Sequence, residues 1–591
     1  MNTISAAATS RAPGLRSALA DAWALAAPFW RAAGQWRAWL QLTGVIALTL
    51  FAVWLNVRFS DWNNAFYNTL QNHDLGAFWH QLGVFGLLAG VFIVVAVYRQ
   101  YLQQLLFMRW RTWLTEWLQQ GWLRPGAAYR LGAGGLHRID NPDQRIAEDA
   151  RGFVSSTLDL GLGVLNASVT LLSFAGILWR LSGDLPLPFS DGMVMYGYML
   201  WVAIGYSLLG SWLAHRLGRP LVALNGEQQR VEADFRYALV QVREHAEAIA
   251  LARGEDREGG RLRDRFGAVR ANWTALIRTT KRLTWFSAGY GQIANVFPIL
   301  AAAPRYFSGA IQLGGLMQTA QAFGQVQGAL SWFIDAYPRL AEWRATVRRL
   351  AAFVAACDAV DVRVAAPGPV RVQSLDAELR WGPLVLANAE GAVVTQVPPA
   401  RIDRGERVLI TGPSGAGKST LVRAIAGLAL GGAGHIALPA NTSIMFVPQR
   451  PYLPDGSLLE ALAYPRAPSE FEPADIAAAV QRAGLTRYGH RLGEAARWAS
   501  LLSPGEQQRV HFARVLLHRP GWVLFDESSS ALDEAGEREL YLAVREHCPA
   551  TTVLSVGHRS SLKPLHDREW SLRDGDVRAP RLAALPAAAT A

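Results

Sequence analysis

The sequence predicts a multidomain membrane protein, in which an all-α region of six membrane spans precedes a soluble α/β domain. Three observations predict this architecture. Long apolar stretches crowd the first 335 of the 591 residues, and a helical span needs roughly 20 mostly apolar residues. The last part of the chain instead alternates short aliphatic strands with helical patterns. A glycine-rich loop lies between one such strand and helix, at 412–419.

The six spans differ in polarity. Four are clear, and two nearer the α/β domain are more polar; in order they cover about 38–58, 82–104, 161–182, 194–215, 284–303 and 308–335. The segment between the fourth and fifth spans has charge pairs at helical spacing and an apolar stripe. We therefore expect that the membrane helices continue beyond the bilayer. The alternative is a separate, soluble coiled-coil insertion.

The distribution of basic residues predicts the orientation. Segments 60–81 and 183–193 contain no Lys or Arg, whereas 105–160 and 216–282 contain many. Because positive loops stay on the cytoplasmic side, both termini, the two long loops and the α/β domain are predicted to be cytoplasmic. The net charge of +11 then lies beside membrane lipid, and nucleic acid is not an expected partner. The two cysteines, Cys357 and Cys548, exclude a disulfide framework and a cysteine metal cluster.

The expected domain plan has five parts. It comprises a cytoplasmic lead-in that includes a possible amphipathic helix on the membrane, a transmembrane domain, a linker helix, a nucleotide-binding domain and a disordered tail, at 1–35, 36–336, 337–374, 375–578 and 579–591.

The last two spans are rich in side-chain amides, namely Gln292, Asn295, Gln312, Gln318, Gln321, Gln325 and Gln327. Polar side chains within a bilayer face protein or a water-filled cavity. Interhelical hydrogen bonds are one explanation. A polar translocation cavity is the other, and so many amides in consecutive spans favour it.

The glycine-rich loop has the pattern of a phosphate-binding loop. It consists of Gly412, Pro413, Ser414, Gly415, Ala416, Gly417, Lys418 and Ser419, with Thr420 next in the following helix. Glycines let backbone N–H groups converge on phosphate oxygens, a lysine reaches the β- and γ-phosphates, and the serine hydroxyl binds Mg²⁺. The strand before the loop and the helix after it are the context this motif requires. ATP and Mg²⁺ are the expected ligands.

A second strand, in GWVLFDESSSALD, ends in two carboxylates. Asp526 is predicted to hold Mg²⁺ with Ser419, and Glu527 to polarise the attacking water. The alternative is that both carboxylates simply end the strand.

Further motifs in the same order resemble those of ABC transporters. Leu502 to Arg509 (LSPGEQQR), which we call the signature segment, precedes the acidic strand, and Gln449, Asp533 and His558 match the Q-loop, D-loop and switch histidine. The resemblance implies that Ser503, Gly505, Glu506 and Gln507 close over nucleotide bound to a second chain. It also implies that Gln449 touches Mg²⁺ or the water and that His558 binds the γ-phosphate. Since the chain has one nucleotide domain, a homodimer is expected.

Two positions depart from the family pattern. Pro504 stands where most members have Gly, and it lacks an N–H to donate to phosphate. Many members also place an adenine-stacking aromatic near the position of Ala387; Trp381 is the nearest aromatic and is expected to be out of register.

The membrane half resembles one bacterial group within this family. RWRTWLTEWL, NPDQRIAEDAR and APRYFSGAIQLGGLMQTAQAFGQVQGALSWF are similar to the SbmA/BacA-like peptide-uptake proteins and their ATPase-fused YddA-like relatives, and PQRPYLP also resembles peroxisomal subfamily D half-transporters. The resemblance implies an exporter-type fold. It further implies that Asn141, Asp143 and Gln144 belong to a coupling element, where the alternative is a helix-capping turn.

The same resemblance suggests the cargo. The first hypothesis is ATP-driven movement of peptides or bulky hydrophilic solutes such as cobalamin across the bacterial inner membrane, as import. The second is export or transfer of fatty-acyl or lipid-like compounds. A third is a non-transporting ATPase that acts as a sensor, against which the six spans argue.

Overall fold

The computed structural model describes residues 15–132, 141–186, 194–363, 369–374, 378–388, 391–572 and 575–577. The chain divides into two compact units. The helical unit comprises Met1–Leu118 and Asp143–Ala352, and the α/β unit comprises Gln119–Pro142 and Phe353–Ala591. The expected tail at 579–591 and the first 14 residues of the expected lead-in lie outside the described residues.

Long helices form the first part of the chain. The helices are α1 Leu15–Arg31, α2 Trp36–Gln71, α3 Leu75–Trp122, α4 Ala127–Gly132, α5 Pro142–Gln144, α6 Ala150–Ser182, α7 Tyr198–Glu244, α8 Ala246–Leu251, α9 Glu255–Phe307 and α10 Leu313–Arg363. A π-helical turn, Arg145–Asp149, joins α5 to α6, and strands β1 Asp184–Pro186 and β2 Val194–Tyr196 form an antiparallel ribbon.

The six expected spans fall in six of these helices, although α7 begins at Tyr198 and α10 at Leu313, four and five residues after the expected starts. In the described part of the chain, α2, α3 and the segment Pro142–Ser182 are long and apolar enough to cross a membrane by composition. The helices α7, α9 and α10 are more polar, yet each is continuous for 47, 53 and 51 residues respectively. The expectation that spans continue into the long loops as single helices is therefore met by α7 and α9.

The expected lead-in contains α1, which packs within the helical unit. Leu25 and Phe29 are buried, and the ring of Phe29 stacks on Trp110 of α3 with centroids 5.7 Å apart. Trp23 remains exposed on the other side of the helix. The amphipathic pattern of α1 thus reflects protein packing on one face.

Amide side chains join α2 to α10. Asn64 donates to Gln318 Oε1 at 2.9 Å, and Asn63 donates to Gln321 Oε1 at 3.0 Å. Gln318 is buried. The interhelical explanation, rather than the cavity we favoured from sequence, therefore accounts for these two glutamines.

The helices α7 and α9 approach closely through a pair of tyrosines. The rings of Tyr206 and Tyr290 stack with centroids 4.4 Å apart, and each hydroxyl donates to the other residue's carbonyl. A Cβ at Gly210 would lie 2.2 Å from the Tyr290 ring. A residue larger than glycine would force the two helices apart.

The described strands of the α/β unit are β3 Val370–Ser374, β4 Leu379–Trp381, β5 Leu384–Ala387, β6 Val393–Val397, β7 Ala400–Ile402, β8 Arg407–Thr411, β9 Gly431–Ala433, β10 His435–Pro439, β11 Ile444–Val447, β12 Gly456–Ser457, β13 Ala495–Ala496, β14 Trp522–Asp526, β15 Thr552–Val556, β16 Arg568–Ser571 and β17 Gly575–Val577. Six of them form the main sheet, in the order β11-β14-β15-β8-β16-β17, and of these described strands only β17 is antiparallel to its neighbour. A four-stranded sheet (β3-β10-β4-β7) and a three-stranded sheet (β6-β5-β9) accompany it, with the pair β12-β13.

Helices pack beside the main sheet. These helices are α11 Lys418–Ile425, α12 Leu458–Ala463, α13 Pro473–Arg482, α14 Trp498–Leu501, α15 Pro504–His518 and α16 Glu534–His547. Alternate residues of the strands enter two separate hydrophobic cores. On β14, Val523 and Phe525 join one buried cluster, whereas Trp522 and Leu524 join the other. A parallel sheet buried on both faces is stabilised by such continuous apolar strands.

The boundary between the units differs from the expected one. Helix α10 runs without a break through 336/337, where the linker was expected to begin. Strand β3, which was assigned to the linker, pairs in parallel with β10. The β-branched residues Val370 and Val372 explain this, because alternation with polar residues is typical of an edge strand.

Candidate nucleotide-binding site

The glycine-rich loop follows the carboxyl end of β8 and leads into α11. Gly415 and Gly417 have φ of 78° and 95°, in the left-handed region that favours glycine. Gly417 is also the N-cap of α11, and a Cβ there would lie 2.6 Å from Thr395 Cγ2. The backbone therefore has the curvature needed to direct N–H groups toward one anion.

The predicted cation of the loop lies inside it. Lys418 is buried, and its Nζ donates to the carbonyls of Gly412 and Pro413, each at 2.9 Å. These bonds hold the ammonium within the curve of the loop. The remaining predicted loop residues, Ser414, Ala416 and Thr420, lie in the turn and in the first turn of α11.

The structure brings together two of the three predicted Mg²⁺ ligands, Ser419 and Asp526. Ser419 Oγ donates to Asp526 Oδ1 at 2.9 Å. Burial raises the pKa of Asp526 above its ordinary value, and the neighbouring charge of Glu527 adds to the rise, while the Ser419 bond opposes it. A divalent cation would relieve this destabilised charge, and a hydroxyl with a carboxylate is the oxygen ligand set that Mg²⁺ prefers.

Such a cation would need ligands from a bound nucleotide. Among the described residues, no group of three or more His, Cys, Asp or Glu side chains is arranged to hold a metal ion. Sites of this kind take Mg²⁺ with one or two protein ligands together with substrate phosphates. The residues therefore fit Mg²⁺ carried with ATP.

Glu527 occupies an unusual backbone position beside the loop. Its φ is 50°, and strain of this kind, about 1–3 kcal/mol, is concentrated at functional sites. Its N–H donates to Val556 O at 3.1 Å, which fixes the turn after β14. The conformation directs the Glu527 side chain toward the other predicted catalytic groups.

Gln449 and His558 lie on either side of the Glu527 carboxylate. Gln449 Nε2 donates to Oε2 at 3.3 Å, and His558 Nδ1 lies 3.8 Å from Oε1. The three predicted catalytic side chains thus form one cluster next to Asp526. In the described contacts Gln449 is joined to Glu527 rather than to Asp526, so its role as an Mg²⁺ ligand stays a prediction.

The signature segment forms the start of α15. Ser503 is the N-cap, and its Oγ accepts from the Glu506 N–H at 3.4 Å while Glu506 Oε2 accepts from the Ser503 N–H at 2.9 Å. Pro504 is the first helical residue, where a missing N–H leaves no hydrogen bond unmade. Partial burial opposes ionisation of Glu506, but bonds from Ser503 and the charge of Arg487 hold its pKa below the ordinary value.

Two glutamines fix the segments on either side of this helix start. Gln507 Nε2 donates to the carbonyls of Ala499 and Leu502 at 2.8 and 3.1 Å. Gln508 Oε1 accepts from the Ala531 N–H at 2.8 Å. Gln508 therefore holds the D-loop next to the signature helix, a role that its position in the motif did not reveal.

The D-loop aspartate and the nearest aromatic have structural partners. Asp533 caps α16 by accepting from the Gly536 N–H at 3.2 Å. Trp381 is buried, donates to Pro398 O at 3.0 Å and packs edge-on against Trp570. Trp381 is thus a core residue that is not exposed for stacking on a base, which agrees with the expectation that it is out of register for that role.

A contact that sequence reasoning missed joins α4 to the end of the phosphate-loop helix. Within the α/β unit, Arg130 donates to Gly427 O at 2.9 Å, and Ala127 and Leu131 are buried. A cation at the C-terminal end of a helix is stabilised by the helix dipole. The local sequence of α4, AAYRLG, holds one arginine among small and apolar residues, and this is too weak a signal to predict the contact.

The residues assigned to a coupling element lie farther along the chain. Asn141 is exposed with φ of 50°, and Asp143 is exposed. Gln144 donates to Glu148 one turn away at 3.1 Å. Their coupling role stays a prediction.

Comparisons with known proteins agree with this geometry. Residues 32–307 match the family model "ABC transporter transmembrane region 2", and residues 399–530 match the model "ABC transporter". The chain is 32% identical to the inner membrane ABC transporter ATP-binding protein YddA of Escherichia coli, over 95% of this chain and 97% of that protein. It is 28% identical to the mouse lysosomal cobalamin transporter ABCD4, over 86% of this chain and 87% of that protein.

A solved structure shares the fold. A bacterial Atm1-family ABC exporter with ATP bound aligns with a TM-score of 0.68 at 19% identity, covering 91% of this chain and 94% of that one. The fold is therefore that of an ABC exporter, with a helical membrane region followed by an α/β nucleotide-binding domain.

Proposed function

The chain belongs to the ABC transporter family, and on that premise we propose that it uses ATP to carry peptides or bulky hydrophilic solutes across the bacterial inner membrane, in the direction of import. The established activity of the family is ATP hydrolysis by one domain, coupled to transport by a membrane region. The cluster of Asp526, Glu527, Gln449 and His558 is the observation that supports active hydrolysis. A chain that had lost this activity would not need to retain four converging polar side chains beside a strained backbone.

The contacts of the chain's own residues support the following roles. The loop N–H groups and Lys418 would bind phosphate oxygens, and Ser419 and Asp526 would hold Mg²⁺. Gln449, which bonds to Glu527, would reach the Mg²⁺ or the attacking water. Bound there, Mg²⁺ would neutralise charge on the β- and γ-phosphates. Glu527 accepts the proton of the attacking water, while His558 orients it from the other side of the carboxylate.

A second copy of the chain completes the site in this proposal. The signature helix begins with Ser503 and the Gly505 N–H, and the helix dipole favours an anion at this end. The reciprocal bonds between Ser503 and Glu506 hold both residues in place, and the Gly505 N–H takes no part in them. In a homodimer, Ser503, Gly505, Glu506 and Gln507 would meet the γ-phosphate held by the partner.

Similarity and exposure support hydrophilic cargo. The relative ABCD4 is named as a cobalamin transporter, and Gln292 and Asn295 are exposed on α9. Polar side chains in a spanning segment face a partner or a polar cavity. Because Gln318 and Gln321 are engaged between helices, a polar cavity for the cargo is inferred from the exposed amides of α9 instead.

A groove on the same helix favours the second candidate, transfer of fatty-acyl or lipid-like compounds. It has a volume of about 730 Å³ and includes Trp273, Ile277, Trp285 and Lys281 among its lining residues. An acyl chain would contact the apolar side chains, and an anionic group would contact Lys281.

Proteoliposomes distinguish these candidates and the direction. Because added ATP reaches only molecules whose α/β unit faces outward, import in the cell corresponds to ATP-dependent loss of solute preloaded in the vesicle. Labelled cobalamin and a proline-rich peptide should be lost, with Glu527→Gln as the matched control. Uptake of these solutes into the vesicles would contradict the direction, and movement of acyl-CoA alone would favour the second candidate.

A further inference from the structure

A buried carboxylate outside the catalytic cluster connects two of its loops. Glu537 lies on α16 with 0% of its surface exposed. Its Oε1 accepts from Ser529 Oγ at 2.5 Å, and its Oε2 accepts from Ser561 Oγ at 2.6 Å. Each carboxylate oxygen is thus engaged by a different hydroxyl group.

The two hydroxyls belong to segments that carry proposed functional residues. Ser529 lies two residues after Glu527 and directly before the D-loop, Ser530 to Asp533. Ser561 lies three residues after His558. Glu537 therefore bonds at once to the loop that leaves Glu527 and to the loop that carries the switch histidine.

Arg559 joins the same two loops a second time. Its guanidinium donates to the carbonyls of Leu532 and Ser530 at 2.7 and 2.8 Å, and it lies 3.8 Å from Glu537 Oε1. Since Arg559 directly follows His558, displacement of the D-loop carbonyls would pull on the backbone of the histidine.

Simple packing does not explain a carboxylate at this position. Burying a charged group is unfavourable unless it is fully paired, and an apolar side chain of similar size is often as stable. A fully engaged polar network instead holds its parts in one arrangement. The observed geometry fits a requirement for alignment of the two loops.

We propose that Glu537 is a positioning residue for ATP hydrolysis, which holds the D-loop and the His558 loop as one unit so that movement of the first reorients His558. This inference rests on the proposed role of His558. Because the D-loop lies beside the signature helix, arrival of a second copy would be transmitted to the histidine through Ser529, Glu537 and Ser561.

A double-mutant cycle tests the proposal in the full-length protein. Glu537→Gln keeps the size of the side chain but weakens its hold on the hydroxyls and Arg559. We expect the single-turnover rate of hydrolysis of radiolabelled ATP to fall about tenfold to a hundredfold, as misplacement of a reacting group does. The Kd for ATP should stay within about twofold, because the phosphate loop is untouched.

The decisive comparison is made in the His558→Ala background. If Glu537 acts through the histidine, Glu537→Gln should change the already slow rate by less than about twofold. A merely structural residue would lower both rates by the same factor, which would overturn the proposal. Glu546→Gln, an exposed carboxylate on the same helix, is the matched control and should leave the rate unchanged.

Two further outcomes keep the test decisive. If Glu537→Gln fails to fold, Ser561→Ala removes one hydroxyl and should show the same dependence on His558 with a smaller effect, about threefold to tenfold. If His558→Ala hydrolyses ATP at the wild-type rate, both the proposed role of His558 and this inference are wrong. If His558→Ala is slow but Glu537→Gln lowers the rate by the same factor with and without His558, the proposed role of His558 stands and only the inference about Glu537 fails.

Discussion

Two buried histidines should make the α/β unit sensitive to acid. His511 on α15 and His566 before β16 are both buried. Burial lowers the pKa of His511 to about 3, and the nearby charge of Arg514 contributes. Burial likewise lowers the pKa of His566 to about 4, and the bond with the Leu562 carbonyl opposes this shift only in part. The other ring nitrogen of His566 lies 2.8 Å from Ser555 Oγ.

The sign and size of the effect follow from linkage. Above the ordinary histidine pKa of about 6.5, both imidazole rings are neutral in the folded and in the unfolded chain. The histidines then cost the folded state no stability. As the pH falls below that value, the unfolded chain binds protons that the folded chain does not, and stability is lost progressively toward pH 4 and pH 3. At pH 5 the loss is about 2 kcal/mol for each histidine, or about 4 kcal/mol together.

Thermal unfolding of the full chain in detergent measures this loss. Between pH 7.5 and pH 5, the unfolding temperature of the α/β unit should fall by roughly 10 °C more in the wild type than in the double variant His511→Gln, His566→Gln. Each single variant should remove about half of the difference. His490→Gln, at an exposed position, serves as the control. Equal pH dependence in the wild type and the double variant would refute the reasoning.

The remaining predictions concern the site and the membrane helices. Lys418→Ala should abolish nucleotide binding, and normal ATP turnover by that variant would remove the site assignment. Glu527→Gln should bind ATP but slow hydrolysis by about 10²-fold to 10⁴-fold, trapping a closed dimer visible by size-exclusion chromatography; rapid turnover would contradict its role. Ser503→Ala should destabilise the α/β unit by about 1 kcal/mol through loss of the N-cap, measured by denaturant unfolding. Gln318→Ala should lower the unfolding temperature of the helical unit slightly, since its bond with Asn64 contributes about 0.6 kcal/mol; an unchanged temperature would mean that this bond contributes nothing.

Local chemistry made the phosphate loop readable from sequence. Its glycines and Lys418 follow one another directly, so the chain order alone brings the binding groups together. Asp526 and Glu527 were readable for the same reason, because the end of a buried strand fixes where both carboxylates lie. The meeting of Ser419 and Asp526 also followed, since the parallel strands β8 and β14, with β15 between them, end at the same edge of the sheet.

Residues whose partners are distant in sequence were harder to interpret. The amides of α10 looked like a cavity lining because spacing records the helix face but not the occupant of that face. Asn63 and Asn64 lie more than 250 residues away, and nothing local couples them to Gln318 and Gln321. Glu537 was missed for another reason. Its partners lie only 8 and 24 residues away, but they belong to two loops that the fold, and not the local sequence, brings together.

The proposed function is tested most directly by recording ATP hydrolysis and solute movement in the same proteoliposomes. We predict that the wild-type protein moves labelled cobalamin or peptide only while it hydrolyses ATP, and that Glu527→Gln does neither. Hydrolysis by the wild type without movement of any solute would contradict it, and would favour a non-transporting ATPase.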